Sequence, residues 1–325
     1  MTGLHQNAPG HDARPPVIAI MGPTASGKTA YAAELCRQLG TEIISVDSAL
    51  VYRRLNIGAA KPDAATLAIA PHRMIDVRDP HEVFSAADFA REAMPHLQDL
   101  AGQGKVPLLV GGTGLYFRAL TEGLSQMPAA DDGVRAELKA QAASEGWQAM
   151  HDQLQALDPD SAARIHPNDP QRILRALEIH RLSGKSRTDW QRQADKPVFP
   201  FRLLSIVLSP KDRVELHRRI ALRFDQMLAD GFLDEVRALM ADPRLHPDLP
   251  SMRSVGYRQA WQHLAGMTDA AAFREQAIAA TRQLAKRQLT WFRGSASSRW
   301  FDPQAEKDTL DYCVREFLRP AQNQQ

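Results

Sequence analysis

Cysteine is scarce: of 325 residues only Cys36 and Cys313 carry a thiol, far apart and outside any Cys-x-x-Cys or Cys/His spacing. A disulfide framework and a structural zinc site are therefore excluded. Long apolar runs are missing as well. The longest, Val17–Met21, Pro107–Val110 and Leu203–Leu208, fall well short of the 18 or so residues that span a bilayer. Residues 1–16 lack the apolar segment of a signal peptide and read as a ragged tail. Net charge is nearly absent, 40 Lys+Arg against 38 Asp+Glu leaving +2, and this average gives no reason to expect nucleic acid. No fixed-period repeat occurs, and no low-complexity tract exceeds the Gln-rich last few residues. These absences describe a soluble, cytoplasmic protein with no membrane attachment.

What is present is ordinary globular composition, 44% hydrophobic and 24% charged, enough for one large domain or two modest ones. Val17–Met21 is a short continuous apolar run. It enters Gly22-Pro23-Thr24-Ala25-Ser26-Gly27-Lys28-Thr29, and Ala30–Leu39 then carries apolar residues at helical spacing up to Gly40. Two further strand-like runs, Glu42–Val46 and Val106–Val110, end at Asp47 and at Gly111-Gly112-Thr113-Gly114. Continuous rather than alternating apolarity predicts a buried parallel sheet in an α/β fold. After about Gly123 the texture turns helical, with breakers at Gly146, Pro159, Pro167 and Pro170, and Arg202–Leu208 restores a strand. The expected organisation is thus a core over 17–124 and 196–315, interrupted by a helical insertion over 125–195. Beyond Pro210 the chain reads as helices.

GPTASGKT at 22–29 fits the P-loop pattern G-x-x-x-x-G-K-[ST] in its required strand–loop–helix setting. Its glycines let backbone N–H groups turn toward a phosphate, and the following helix aims its positive end there. Lys28 would neutralise phosphate oxygens and the Thr29 hydroxyl would ligate Mg²⁺. The motif reads a diphosphate-like group and not the molecule that carries it. Val106–Val110 ends without the Mg²⁺-holding acid of a typical NTPase, and no Asn-Lys-x-Asp guanine reader occurs. A motor ATPase or GTPase is thereby disfavoured.

Asp47 lies at a strand's carboxyl end, where open α/β sheets hold ligands. It fits either a base accepting a proton from a nucleophile or a cap of the next turn. Thr113 fits either a donor to a phosphate oxygen or a turn residue. The eleven histidines are scattered; His72 and His81 flank Asp76 and Asp79 without metal-ligand spacing and read as structural or surface residues. Local charge tells more than the average. Gln276–Phe301 contains no acid but holds Arg282, Lys286, Arg287, Arg293 and Arg299; Gln171–Arg187 holds five basic residues against Glu178. Such stripes suit a phosphate backbone, with a solvated helix face as the alternative.

Taken together and in order, GPTASGKT, DSALVYRRLNIGAAKP (47–62), HRMIDVRDP (72–80), FSAADF (84–89), GGTGLYFRAL (111–120), HPNDPQRILRALE (166–178), SVGYRQAW (254–261) and TRQLAKRQLTWFR (281–293) resemble the bacterial tRNA dimethylallyltransferases, also called tRNA isopentenyl-diphosphate transferases. The resemblance runs from about Val17 to Arg293. Departures are mild: Asn56 and Ala59 stand where the family's DIGTAKP has Asp and Thr, Pro71 often gives way to His, and Phe84 to Tyr. The resemblance implies a P-loop-like catalytic core and a helical tRNA-binding insertion. It implies transfer of a dimethylallyl group from dimethylallyl diphosphate to the exocyclic amine of adenosine 37, beside the anticodon, with Mg²⁺.

By the same resemblance, Asp47 takes the amine proton, Thr113 steadies the leaving diphosphate, Arg223 contacts it, and residues Gly22, Pro23, Thr24, Ala25, Ser26, Gly27, Lys28 and Thr29 bind it. The tRNA anticodon stem-loop would meet Asp47, Ser48, Ala49, Leu50, Thr113, Arg135, Gln171, Arg172, Ile173, Leu174 and Arg175. On the C-terminal side it would meet Arg253, Ser254, Val255, Gly256, Tyr257, Arg258, Arg282, Gln283, Lys286, Arg287 and Gln288. The enzyme would act as a monomer. Three rivals share parts of the pattern: a P-loop small-molecule kinase, an adenylate prenyltransferase, and an RNA-binding module with a vestigial nucleotide site. The GGTGLY strand end and the basic C-terminal segment disfavour the first, the long insertion the second, and intact Lys28, Thr29 and Asp47 the third.

Overall fold

Six strands form one parallel sheet among the residues that the computed structural model describes, 12–193 and 198–319. They are β1 (Pro16–Met21), β2 (Ile43–Val46), β3 (His72–Arg73), β4 (Leu108–Gly111), β5 (Arg202–Leu208) and β6 (Arg299–Phe301), in the order β3-β2-β4-β1-β5-β6. The central strands have both faces covered, which is why they read as unbroken apolar runs. Along β1, Val17 and Ala19 pack into the cluster on one face while Ile18 and Ile20 enter the other. Val17, Ile18 and Ile20 are fully buried, and each contributes about 1.5–3 kcal/mol through burial. β3 and β6, of two and three residues, are too short for a periodicity signal. They are sheet edges that only pairing defines.

β4 is inserted between β1 and β2, so the chain reverses its direction of winding there and leaves a crevice at the strands' carboxyl ends. Register makes this concrete. Gly111 is level with Met21 on one side and Val46 on the other. The loops that begin at Gly22, Asp47 and Gly112 therefore leave the sheet at one height, side by side.

The chain divides into two compact units, one holding the sheet with residues up to Thr121 and from Phe199, the other Glu122–Val198. The second is all-helical. Its helices are Asp132–Leu157, Pro159–Ala162, Pro170–Ser183 and Arg187–Arg192, with Asp131, Asp158, Asp169 and Ser186 accepting the cap hydrogen bonds. Gly146, at φ 83°, breaks the first of these in two, as a left-handed residue must. Pro170 opens a helix rather than ending one, its missing N–H lying among donors that need no intrahelical partner. Leu138, Met150, Leu154, Ile165, Ile173 and Leu177 form its core. The tail expected over residues 1–16 lies outside the described residues as far as residue 11, as do 194–197 at the expected end of the insertion and the Gln-rich terminus from 320.

Candidate active site

The P-loop turns between β1 and the helix Lys28–Leu39, with Gly27 as N-cap at φ 91°. A side chain there would strain the left-handed backbone, so glycine is required to aim the helix's N–H groups into the turn. Lys28 Nζ donates to the Pro23 carbonyl at 3.1 Å, bending over the loop. Burial pulls the Lys28 ammonium down to about 8; the negative charge of Asp47 opposes this and the positive charge of Arg223 reinforces it. Arg223, half-buried on the helix Arg213–Ala229, is likewise lowered by burial and supported by Asp47. The charge of Asp47 thus acts on both Lys28 and Arg223.

One cavity of about 520 Å³ collects residues from all these elements. Thr24, Ala25, Lys28 and Thr29 from the P-loop line it, with Asp47–Leu50 after β2, Gly111–Gly114 after β4, and Arg223. Ile220, Phe224, Met227 and Phe232 supply an apolar wall, and Arg253–Tyr257 with Thr281, Leu284, Arg287, Gln288 and Trp291 complete the lining. Asp47 Oδ1 accepts from the N–H groups of Ala49 at 2.9 Å and Leu50 at 3.4 Å. Oδ2 makes no hydrogen bond among the described residues, so the carboxylate caps its turn with one oxygen and offers the other. Thr113 Oγ1 accepts from the Ser48 N–H at 3.0 Å and donates to Ser48 Oγ at 3.3 Å, tying the β4 loop to the β2 loop.

Gln288 is a bridge: its Oε1 accepts from Thr24 N–H at 3.0 Å and its Nε2 donates to the Gly112 carbonyl at 3.0 Å. Both ends of this amide, expected at the RNA, hold the P-loop and the β4 loop together. Of its helix neighbours, Arg287 lines the cavity, while Arg282, Gln283 and Lys286 are exposed elsewhere on Ala270–Arg293. Arg253, Arg258, Arg282, Lys286 and Arg287 form no ion pair among the described residues and are all exposed. Ser254 and Val255 are half-buried, Gly256 and Tyr257 buried.

In the helical unit, Gln171 and Arg172 are exposed, Leu174 half-buried, and Ile173 wholly buried in the core. Ile173 therefore holds its helix in place and presents nothing to a ligand. Arg135 and Arg175 converge on the fully buried Glu178, at 2.9 Å and 2.7 Å, and Arg175 also donates to the Pro128 carbonyl at 2.6 Å. Part of the donor capacity of both is committed within the unit.

Several residues at the wall or behind it escape sequence reasoning. His72, read from its spacing as structural or surface, lines the cavity; its ring meets the Ala70 carbonyl at 2.6 Å and burial lowers its pKa. Glu235 accepts from the N–H groups of Asn56, Ile57 and Gly58 at 3.0, 2.7 and 3.2 Å and from Tyr257 Oη at 2.7 Å, while Tyr257 Oη accepts from Ala59 N–H at 3.1 Å. This shapes the loop whose Gly58, Ala59 and Ala60 line the cavity.

No group of three or more His, Cys, Asp or Glu among the described residues could hold a metal. What the site does offer is the Thr29 hydroxyl beside the P-loop and Ser45 Oγ, buried at the cavity wall without a partner. That set suits a cation such as Mg²⁺, which takes one or two protein oxygens and completes its shell with phosphate oxygens and water.

A parallel sheet with a P-loop at its switch point, a carboxylate on the next strand end, and Lys28, Arg223, Arg253 and Arg287 around one cavity is the architecture of a P-loop-fold protein suited to a phosphate-bearing ligand. The family model described as IPP transferase matches residues 50–295. The chain is 57% identical to the tRNA dimethylallyltransferase of Stenotrophomonas maltophilia strain R551-3, over 95% of this chain and 99% of that one. It is 55% identical to the tRNA dimethylallyltransferase of Xanthomonas campestris pv. campestris strain 8004, over 94% and 95%. The crystal structure of the tRNA isopentenylpyrophosphate transferase from Bacillus halodurans superposes with a TM-score of 0.68 at 37% identity, covering 93% of this chain and 96% of that one. A eukaryotic dimethylallyltransferase acting on tRNA gives 0.75 at 25% identity, covering 95% and 81%. The chain belongs to the IPP transferase family of tRNA dimethylallyltransferases, and is a prenyltransferase. No described helix is long and apolar enough to cross a membrane.

Proposed function

We propose that the protein transfers a dimethylallyl group from dimethylallyl diphosphate to the exocyclic amine of the adenosine beside the anticodon of tRNA, in the cytoplasm, as a monomer. The observation that carries this reading is the convergence of Lys28, Asp47, Thr113 and Arg223, from four separate segments, on one cavity that also has an apolar wall. Lys28, the P-loop N–H groups and Arg223 hold the diphosphate. The apolar side chains of Phe224, Met227 and Phe232 suit a five-carbon chain. The amine nitrogen bonds to C1 of the allyl group as the C1–O bond breaks, its proton passes to Asp47, and diphosphate departs.

An aromatic amine is a weak nucleophile, so most acceleration comes from positioning and from stabilising the charge that develops on the leaving diphosphate. Lys28 and Arg223, both half-buried, are strong at that task because solvent screens them only in part. Thr113 steadies the leaving group and, through Ser48, keeps Asp47's turn in register. Thr29 would hold Mg²⁺, which supplies further charge neutralisation to the diphosphate. Unpaired loop bases are cheap to extrude from their stack, which suits an adenosine in the anticodon loop as acceptor. The exposed cations Arg253, Arg258, Arg282 and Lys286, with Gln171 and Arg172 of the helical unit, would bind the RNA backbone.

The test is incubation with labelled dimethylallyl diphosphate, Mg²⁺ and unmodified tRNA, alongside AMP as competing acceptor and ATP as competing donor. Label should enter tRNA at one adenosine and require a divalent cation. Label in AMP but not in tRNA would overturn the reading in favour of an adenylate prenyltransferase.

A further inference from the structure

We propose that Trp291 and Arg287 form a nucleotide clamp at the cavity wall: the indole stacks on a base flanking the accepted adenosine, and the guanidinium holds that nucleotide's phosphate. The inference rests on the tRNA-substrate reading above and adds a recognition element to it.

Thr281, Leu284, Arg287, Gln288 and Trp291 recur at helical spacing on Ala270–Arg293 and all line the cavity, so they form one stripe. Within it Trp291 is anomalous. It is 44% exposed, whereas its neighbour Phe292 is 2% exposed and packed in the core. A large ring left half in water is a poor core residue and a good binding surface.

The indole is also fixed before any ligand arrives. A Cβ at Gly114 would lie 2.1 Å from Trp291 Cδ1 and 2.3 Å from Nε1, so the pyrrole edge rests on the glycine and any side chain there would displace the indole. One turn earlier, Gln288 is pinned at both ends by Thr24 and Gly112. A ring held by its edge, with much of its surface open, is prearranged for stacking and loses little freedom on binding. Arg287, four residues before it and so on the same face, is exposed and forms no ion pair among the described residues.

An aromatic face beside an unneutralised guanidinium matches a nucleotide: a base with a π-face and a phosphate within a few ångströms. A purely apolar occupant would leave the cation without a purpose. Because the same cavity carries Asp47 and Thr113, the nucleotide concerned lies next to the one that reacts.

The test uses Trp291→Leu, which keeps an apolar side chain but removes the π-face, and Trp291→Phe, which keeps a smaller one. Both are first checked for wild-type thermal unfolding; should Trp291→Leu fail that check, Trp291→Phe against Trp291→Met replaces the comparison. Affinity for unmodified tRNA should fall about tenfold in Trp291→Leu, within the range of one base–aromatic stack. It should stay within about threefold of wild type in Trp291→Phe, and KM for dimethylallyl diphosphate should not change in either. An anticodon stem-loop made abasic at one flank of the accepted adenosine should weaken wild-type binding yet leave Trp291→Leu unaffected. Wild-type tRNA affinity in Trp291→Leu overturns the clamp. So does a rise in KM for dimethylallyl diphosphate alone, which assigns the indole to the prenyl chain, or an abasic penalty at either flank that survives undiminished in the variant. Failure of the underlying reading would look different, since wild-type protein would then transfer no label to tRNA at all.

Discussion

Replacing Glu235 by Gln changes no more than one heavy atom, yet it should damage the site. The carboxylate accepts four hydrogen bonds, two on each oxygen: Asn56 and Ile57 N–H on Oε2, Gly58 N–H and Tyr257 O–H on Oε1. A glutamine offers one oxygen and one NH₂, so whichever way it lies, a pair of donors faces a donor. The less costly arrangement places the oxygen toward Asn56 and Ile57. Tyr257 can then swing its hydroxyl to accept, but Gly58 N–H is left without a partner. Hydrogen bonds to a charged group are worth about 1.5–3 kcal/mol each. Losing one outright and weakening a second gives a destabilisation of about 2–4 kcal/mol, much of it local to the loop over 56–60. Since Gly58, Ala59 and Ala60 line the cavity, KM for dimethylallyl diphosphate should rise by at least about fivefold even where the protein remains folded. Urea unfolding and initial rates at saturating tRNA measure the two effects. A variant within about 0.5 kcal/mol of wild type and with unchanged KM would refute the reasoning, because four such hydrogen bonds cannot be of so little consequence.

Other perturbations separate chemistry from binding. Asp47→Ala should abolish transfer while tRNA affinity stays within a few-fold; undiminished turnover in single-turnover assays would remove Asp47 as the base. The ammonium of Lys28, depressed to about 8 by burial, is protonated in the free enzyme below that pH and loses its charge above it. Because diphosphate binding needs the cation, kcat/KM for dimethylallyl diphosphate should fall as pH rises through about 8, with kcat falling only at higher pH, where bound diphosphate no longer retains the proton; a flat profile to pH 10 would contradict this. Charge reversal at Arg282 and Lys286 should weaken tRNA binding and flatten its dependence on salt, and an unchanged salt slope would leave these residues as a solvated face only. Gln288→Ala removes both links between the P-loop and the β4 loop and should cost about 1–3 kcal/mol in thermal stability, with a matching loss of kcat.

How much of this was legible in the sequence follows from how local each feature is. The P-loop is a contiguous octapeptide whose conformational demands are met by its own residues, so its strand, turn and helix could be read directly, as could the buried runs that became β1, β2, β4 and β5. The edge strands β3 and β6 could not, since two or three residues carry no period. The placement of Lys28, Asp47, Thr113 and Arg223 in one cavity is a product of strand order, and β4 lying between β1 and β2 is not written in any one segment. Glu235 sits in an acidic first helical turn with Asp234, where an acid is expected for reasons of the helix dipole alone; its four partners are remote in sequence. His72 was discounted for want of metal-ligand spacing, although lining a cavity needs no such spacing. Gln288 and Ile173 show the reverse limit. Both sit in motifs read as RNA-facing, yet the amide of one bridges the P-loop and the β4 loop and the other is sealed in a core, because a motif records what must be kept and not which atom each residue presents.

The structure distinguishes the carboxylate proposed as the base from another acid that shapes the same cavity. Asp47 and Glu235 both accept backbone N–H groups at loops of the cavity, and residue type does not distinguish them. Glu235 has both oxygens engaged, so a proton arriving there would have to displace a hydrogen bond that holds the loop. Tyr257, wholly buried, has its phenol pushed up first by burial and then by Glu235 itself, which fixes that oxygen pair as acceptors. Asp47 engages only Oδ1. Its Oδ2 accepts no hydrogen bond among the described residues, at the wall of a cavity that Lys28 and Arg223 also line. In the proposed transfer, the negative charge that develops on the departing diphosphate would be stabilised by the same two cations. One pair of charges would thereby stand beside the proposed base and serve the leaving group, and the nearly neutral total of the chain conceals it because each cation is placed, not added.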